Sequence, residues 1–180
     1  KYLDDVLTDI KFSNVAWNDD KGVFYKKNSN KEFFAKDSTY QLYYHKIGDI
    51  QSKDQLVFDT SKEKSNFSFF TKEDKLFIIE ESEDEITTNY YYSDLNNEMF
   101  QFTNFLKDNN SNIDFLNIKN NKFYLSDEKY PWGNISYFDI NNPNENQILI
   151  PQVYTHLLID ATFLEKYIIC KYKNMGKYYM

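Results

Sequence analysis

The stretch FSNVAWNDDKGVFYKK, residues 12–27, has the pattern of a β-hairpin. An apolar run leads to the acidic pair Asp19 and Asp20, and a second run, GVFYKK (22–27), follows. Short polar side chains favour tight turns, whereas aromatic and β-branched residues favour strands. The stretch therefore predicts two antiparallel strands joined by a turn at Asp19 and Asp20.

The same pattern recurs along the chain. Apolar runs and polar turns precede further aromatic or β-branched strands at KLFIIEES (75–82), NKFYLSDE (121–128) and KYIICKYK (166–173), the last with a weaker turn signal. When Phe24, Phe77, Phe123 and Ile168 are aligned, the spacings are 53, 46 and 45 residues. Such regular spacing indicates a repeat architecture.

Each of the first three units continues into two more apolar stretches. Third strands are predicted at 41–48, 89–96 and 135–142, and fourth strands at 55–60, 99–105 and 147–151. Four antiparallel strands every 40 to 50 residues or so are typical of β-propeller blades. We therefore predict an all-β, partial β-propeller domain over residues 1–180, with blades at roughly 11–60, 66–105, 113–151 and 156–173. Helix is scarce: LDDVLTDIKF (3–12) has a weak helical pattern, and 27–39 is a long loop.

Composition narrows the classes of partner. The net charge is −7 and all 21 basic residues are lysine, so guanidinium recognition of phosphates or bases is unavailable and nucleic acid is not expected as a partner. Cys170 is the only cysteine, which excludes an intrachain disulfide and a cysteine-based zinc site and fits a cytoplasmic setting. No apolar run is long enough to span a membrane as a helix. Because the chain begins without methionine, we expect it to be a segment of a longer polypeptide.

Two histidines are the first candidates for chemistry. His45 occupies the position in its unit that Ser93 occupies in the next, and His156 opens the last unit. Neither has a second histidine or cysteine at ligand spacing or a nearby serine nucleophile motif, and catalysis needs a base with an orienting partner. The pattern favours histidines of the propeller wall, with no catalytic or metal-binding role.

The remaining candidates also have structural explanations. The acidic run EESEDE (80–85) lacks the spacing and glycine of an EF-hand, so a solvated loop is favoured over a calcium site. The tyrosines at 43–44 and 90–92 lie on predicted strands, where core packing is favoured over ligand stacking. Cys170 is interpreted as a small buried hydrophobic residue. Nucleophile-elbow, P-loop, dinucleotide-binding and zinc-protease motifs are absent, and no cofactor is expected.

Longer stretches resemble a known family. IKFSNVAWNDDKGVFYKK (10–27) and QLYYHKIGDIQSKDQLVFD (41–59) are similar to the propeller of prolyl oligopeptidases, whose members carry KFS..AW..DGKG.FY and then YYH.LGT.QSED.LV. The resemblance continues through FFTKEDKLFIIEES (69–82), NYYYSDL (89–95) and FYLSDEKYPWGNISYFDINNP (123–143). It covers nearly the whole chain in order.

The resemblance implies a parent serine peptidase. Family members join a seven-bladed propeller to an α/β-hydrolase domain that carries a Ser-Asp-His triad, and this chain would supply about three and a half blades. The propeller limits access to short peptides, which the namesake cleaves after proline. No triad residue falls within this chain. By resemblance, Phe12 would line the substrate site from the propeller side; an ordinary apolar strand residue is the alternative.

Two stretches of the chain depart from the family's sequence pattern, and two alternative functions remain open. SKEKSNF (61–67) replaces a tryptophan-containing stretch of the family, and SEDEITTN (82–89) stands where the family has a glycine-containing loop, so no further substrate contacts are carried over. One alternative function is the propeller of an oligopeptidase that cleaves after basic residues. The other is a non-catalytic propeller that binds protein or peptide.

Overall fold

Short polar residues close the hairpins of the second and third units, as predicted. The backbone φ angles are +49° and +56° at Glu73 and Asp74, and +52° and +58° at Asn120 and Asn121. Two successive positive φ angles are typical of a type I′ turn, whose twist matches that of the flanking strands. These angles come from a computed structural model, which describes residues 4–10, 13–28, 40–60, 65–82, 87–97, 99–109 and 113–180.

The described residues form four antiparallel sheets, in each of which the strands lie in chain order. Sheet 1 consists of β1 (Val15–Asn18), β2 (Gly22–Asn28), β3 (Tyr40–Lys46) and β4 (Gln55–Asp59), with a single 3₁₀ turn (Gln51–Lys53) before β4. Sheet 2 consists of β5 (Asn66–Lys72), β6 (Lys75–Glu81), β7 (Thr88–Asp94) and β8 (Thr103–Asn109). Apart from Asn109, the last residue of β8, the two belong to one structural unit, Lys1–Asp108.

A second unit, Asn109–Met180, contains the other two sheets. Sheet 3 consists of β9 (Ile113–Lys119), β10 (Lys122–Asp127), β11 (Ile135–Asp139) and β12 (Asn142–Ile150). Sheet 4 consists of β13 (Leu157–Phe163), β14 (Ile168–Asn174) and β15 (Lys177–Tyr179). The all-β class and the repeated four-stranded sheets predicted from the sequence are confirmed.

One backbone hydrogen bond recurs in sheets 1, 2 and 3. The amide that follows the third strand donates to the carbonyl oxygen of the last residue in the first turn. The three bonds are Ile47 to Lys21 (3.1 Å), Leu95 to Asp74 (2.8 Å) and Ile140 to Asn121 (2.9 Å). The repeat is therefore one of backbone geometry as well as of composition.

This bond corrects one predicted alignment. If Asp74 is equivalent to Asn121, then Phe77 corresponds to Tyr124, and Phe123 lies one residue earlier in its strand. The register between β9 and β10 also shifts between Tyr124 and Leu125, just after Phe123, where a β-bulge interrupts the ladder. Spacing along the sequence does not reveal such a shift.

Three other predicted elements differ from the structure. Residues 4–10, within the weak helical pattern, form no helix. The last unit has a third strand, β15, where only a hairpin was predicted; Met175 and Gly176 form its turn with φ of +45° and +78°. The fourth strand of the second unit was predicted at 99–105 but begins at Thr103. Phe100 and Phe102 lie in the connection before it and pack against the apolar core. The predicted loop 27–39 lies outside the described residues beyond Asn28.

Apolar faces of sheets 1 and 2 form a shared core. Its buried members come from both sheets: Ala16, Phe24, Leu42, Phe67, Phe69, Leu76 and Ile78. The first strands β1 and β5 are also linked directly, since the Thr71 hydroxyl donates to the carbonyl oxygen of Trp17 at 2.7 Å. The two sheets thus pack face to face with their first strands side by side.

Sheets 3 and 4 pack together in a similar way. The rings of Tyr124 and Phe163 lie 4.9 Å apart, and the ammonium of Lys119 donates to the carbonyl oxygens of Leu164 and Glu165 at 2.7 and 2.5 Å. Residues 141–180 are all described, and none of them is fully buried. Sheet 4 therefore keeps much of its apolar surface accessible.

Candidate functional site

The residue that the resemblance assigns to the substrate site, Phe12, lies outside the described residues. The two residues that follow it, Ser13 and Asn14, are held in place by hydrogen bonds. The amide of Lys26 donates to the hydroxyl oxygen of Ser13 at 2.7 Å, and the side-chain amide of Asn14 donates to the carbonyl oxygen of Phe69 at 3.0 Å. The start of β1 is thus anchored to β2 and to β5, the first strand of the neighbouring sheet.

His45 lies in a buried polar cluster on the other face of sheet 1. It pairs with Val23 in the strand register, as Ser93 pairs with Leu76 in sheet 2, so the predicted equivalence of His45 and Ser93 is confirmed. Its side chain is on the face opposite Phe24 and is only 2% exposed. Alternation along β3 therefore points the ring away from the shared core.

Two carboxylates flank the His45 ring. Its Nδ1 is 2.7 Å from Oδ1 of Asp54, and its Nε2 is 3.2 Å from Oδ1 of Asp5. The other oxygen of Asp54 accepts a hydrogen bond from the Tyr25 hydroxyl at 2.7 Å. The cluster has a histidine with an orienting carboxylate, but none of the described serine, threonine or cysteine side chains bonds to the ring, so the described residues supply no triad nucleophile here.

Residues Asp4–Ile10, which we call the N-terminal strap, are attached to sheet 1 by this cluster. Asp5 accepts a second hydrogen bond, from the Gly48 amide at 2.6 Å. The Thr8 amide donates to Oε1 of Gln51 at 3.0 Å, and the Gln51 side-chain amide donates back to the Thr8 carbonyl oxygen at 3.0 Å. Polar contacts therefore hold the strap at two points.

Charge and burial shift the pKa values in the cluster. Burial lowers the pKa of His45, but hydrogen bonds to Asp54 and Asp5 and the charges of both outweigh it, so the net pKa lies above the usual 6.5. Hydrogen bonds from Gly48 and then His45 lower the pKa of Asp5 below its usual 3.8. Burial, with the Asp54 hydrogen bond, raises the pKa of Tyr25. The hydrogen bonds and charges of the cluster thus favour the protonated form of the His45 ring.

Lys26 occupies a second polar position, on the face of β2 that meets sheet 2. Its ammonium donates to the Phe67 carbonyl oxygen at 2.5 Å and lies 4.8 and 4.7 Å from the ring centroids of Tyr40 and Phe67. Burial lowers the pKa of Lys26, and the charge of Glu81 opposes the shift. Cation–π and carbonyl contacts compensate for lost hydration, so Lys26 links the two sheets.

One residue of the acidic run, 80–85, differs from the predicted solvated loop. Glu80 is buried at the end of β6 rather than solvated, and its carboxylate accepts hydrogen bonds from Ser65 at 2.6 Å and Tyr91 at 2.7 Å. Residues 83–85 of the run lie outside the described residues. Within the described part of the chain, no group of three or more histidine, cysteine, aspartate or glutamate side chains is arranged to hold a metal ion.

The tyrosines pack as predicted. Tyr25 stacks on Tyr43 with ring centroids 6.0 Å apart, and the ring of Tyr92 lies 6.2 Å from that of Phe77. Tyr90 is buried. These rings contribute to cross-strand pairing and the core rather than to an open stacking surface.

The last two candidates lie in sheet 4 or beside it. His156 precedes β13 and contacts the Thr155 hydroxyl at 2.8 Å and the ring of Tyr179. Cys170 is half-buried rather than buried, and burial raises the pKa of its thiol, which disfavours the reactive thiolate. Among the helices of the described residues, none is long and apolar enough to cross a membrane.

Successive four-stranded meanders that pack face to face, with their first strands adjacent, define the class of β-propeller blades. The family model of the prolyl oligopeptidase N-terminal β-propeller domain matches residues 1–178. The chain belongs to this family, the propeller domain of prolyl oligopeptidase-type peptidases.

Individual relatives agree with this assignment. The prolyl endopeptidase of Elizabethkingia meningoseptica is 25% identical over 150 residues, which are 79% of this chain and 21% of the relative. That of Elizabethkingia miricola is 26% identical over 135 residues, covering 72% and 19%. The chain thus spans about a fifth of the length of these curated relatives.

Solved structures share the fold. Prolyl oligopeptidase B from Galerina marginata, bound to a 35mer hydrolysis and macrocyclization substrate, superposes with a TM-score of 0.79 at 19% identity, covering 98% of this chain and 26% of that one. Oligopeptidase B from Leishmania major gives a TM-score of 0.69 at 13% identity, covering 92% and 23%. At these identities the likeness supports the partial propeller fold alone.

Proposed function

We propose that this chain is the propeller segment of a serine endopeptidase that hydrolyses short peptides after proline. The family match over residues 1–178 is the observation that supports the proposal most directly. The named relatives of highest sequence similarity given above are both prolyl endopeptidases. A cytoplasmic location remains a prediction from the single cysteine.

In this proposal the four sheets are consecutive blades of one domain that controls access to the reaction. The α/β-hydrolase domain of the same polypeptide would supply a serine nucleophile, with histidine as general base and then general acid, and water would hydrolyse the acyl-enzyme. The present chain would contribute a wall of the substrate site and exclude folded proteins. By itself it would cleave nothing.

The complete polypeptide encoded by the gene provides the first test. We expect it to release a fluorophore from a short peptide blocked at its N-terminus when proline precedes the scissile bond. Matched peptides with alanine, lysine or arginine in place of proline should be cleaved far more slowly. The readout is kcat/KM for each peptide, because this ratio measures discrimination between substrates.

Each alternative predicts a different outcome. Preference for lysine or arginine over proline would replace the proposal with an oligopeptidase specific for basic residues. Absence of a G-x-S-x-G nucleophile motif in the complete polypeptide, together with no hydrolysis of any peptide, would leave the peptide-binding propeller. If a proline peptide and a folded protein with the same exposed sequence were cleaved equally fast, the gating role would be wrong.

We also propose that Phe12 contacts the substrate from the propeller side. Replacing it with alanine removes apolar contact, so we expect Phe12→Ala to raise KM for the proline peptide by about tenfold, the effect of roughly 1.4 kcal/mol. Phe12→Leu, which keeps most of the apolar volume, should have a smaller effect. An unchanged KM in a folded Phe12→Ala enzyme would assign Phe12 to the strand's ordinary apolar packing.

A further inference from the structure

Both nitrogens of the buried His45 ring face carboxylates that already accept a hydrogen bond from another donor. Oδ1 of Asp5 accepts from the Gly48 amide, and Asp54 accepts from the Tyr25 hydroxyl through its other oxygen. Ionised carboxylates only accept hydrogen bonds, so each ring nitrogen must carry a proton to bond its partner. Two ionised carboxylates can both be bonded by the ring only when it carries both protons, so this arrangement favours the imidazolium form of His45.

We propose that His45 is a pH-sensitive clasp, which fastens the N-terminal strap to sheet 1 while its ring is protonated and loosens the strap when the ring loses one proton to solvent. The bond to Asp5 would be the one lost. It is longer than the bond to Asp54, and the Asp5 side chain is 12% exposed against 3% for Asp54. A neutral ring that keeps its Nδ1 proton for Asp54 turns the Nε2 lone pair towards the Asp5 oxygen, which is repulsive.

Among the charged groups around the ring, Asp5 and Asp54 are the two that control the protonation of His45. On β2 and β3 the titratable side chains on the same face as the ring are Tyr25, Tyr43 and Lys27. Tyr25 bonds Asp54, and Lys27 lies opposite Gln41 near the other end of the strand pair. The Lys26 ammonium lies on the opposite face of β2. The other charged residues on these elements are exposed or have other partners: Asp4, Asp9, Lys46, Asp49, Lys53 and Asp59.

The direction in which pH changes the strap's attachment follows from the pKa shifts of His45 and Asp5. Because the pKa of His45 is raised, its contribution is complete below 6.5, the usual histidine value, and is lost as the pH rises through the raised value. Because the pKa of Asp5 is lowered, its contribution is present above 3.8 and is lost as the pH falls through the lowered value. The clasp should hold best between these limits and loosen under alkaline conditions.

Amide exchange of the complete polypeptide tests the clasp without depending on peptidase activity. Hydrogen–deuterium exchange would be followed for peptides containing the Gly48 and Thr8 amides between about pH 6 and 9 and corrected for intrinsic exchange. This range begins near the usual histidine pKa and extends above it because the pKa of His45 is raised. We expect protection of the Gly48 amide to fall as the pH rises. Protection at Thr8 should fall less, because its bonds to Gln51 do not involve the ring.

Three variants separate the clasp from other causes. His45→Gln should give low Gly48 protection without pH dependence, whereas His156→Gln should behave as wild type. Asp5→Asn keeps an oxygen for the Gly48 amide but removes the charge, so it should move the transition to lower pH. The proposal is overturned if wild-type protection is flat over this range, or if His45→Gln keeps the same pH dependence. If His45→Gln fails to fold, an unshifted transition in Asp5→Asn is enough to reject it.

Discussion

Replacing Phe24 by alanine should lower the free energy of unfolding of sheets 1 and 2 by about 3–5 kcal/mol, as for other buried phenylalanines. The Phe24 side chain has no exposed surface. Its ring lies 4.9 Å from that of Tyr44 in its own sheet and 5.3 Å from that of Phe100 in the connection before β8. Because the core is shared by two sheets, a cavity at Phe24 weakens their packing as well as the strand itself.

Native-state amide exchange of the complete polypeptide would measure this loss. Since about 1.4 kcal/mol corresponds to a factor of ten, protected amides of β2 and β6 should exchange at least two orders of magnitude faster in Phe24→Ala. Ile50→Ala, in the connection before β4 and 64% exposed, is the control and should change exchange little. A Phe24→Ala effect confined to β2, with β6 unchanged, would show that the two sheets do not share one cooperative core.

Local chemistry made most of the fold predictable from the sequence. Polar pairs such as Glu73 and Asp74 mark turns, and the aromatic strands that follow them recur at a regular distance. Strand β15 was missed although its signal was present: Met175 and Gly176 adopt the positive φ angles of a two-residue turn, and glycine favours the second of these positions. The three residues of β15 were too few to show the alternating pattern of a strand.

The polar cluster was not predictable by the same reasoning. Asp5 and His45 are 40 residues apart, and no periodicity relates them. Asp54 follows a 3₁₀ turn, so neither strand alternation nor a motif indicates that it contacts the ring. Glu80 is similar, because its burial depends on Ser65 and Tyr91 from other strands or connections. Buried polar contacts are set by tertiary packing, which a pattern along one strand does not encode.

Asp54 should be the second position with a large effect, and one that depends on pH. Its side chain is 3% exposed and satisfies both the His45 ring and the Tyr25 hydroxyl. Removing one partner of a buried charged pair leaves the other uncompensated, which costs about 3–5 kcal/mol in comparable cases. We expect Asp54→Ala to destabilise sheet 1 by about this amount where His45 is protonated in the wild type.

Pulse proteolysis in a urea series would give the unfolding midpoint of the complete polypeptide near pH 6 and near pH 9. The penalty should be larger at the lower pH, because the ion-pair contribution of the wild type declines as the pH rises through the raised pKa of His45. Asp49→Ala is the matched control in the same connection. Asp49 is 39% exposed on its side chain and lies 3.7 Å from Lys53, so its removal should cost no more than about 1 kcal/mol at either pH. An Asp54→Ala penalty that is equal at both pH values would mean that Asp54 acts through its hydrogen bond to Tyr25 alone, and that the ring between the two carboxylates carries no stabilising charge.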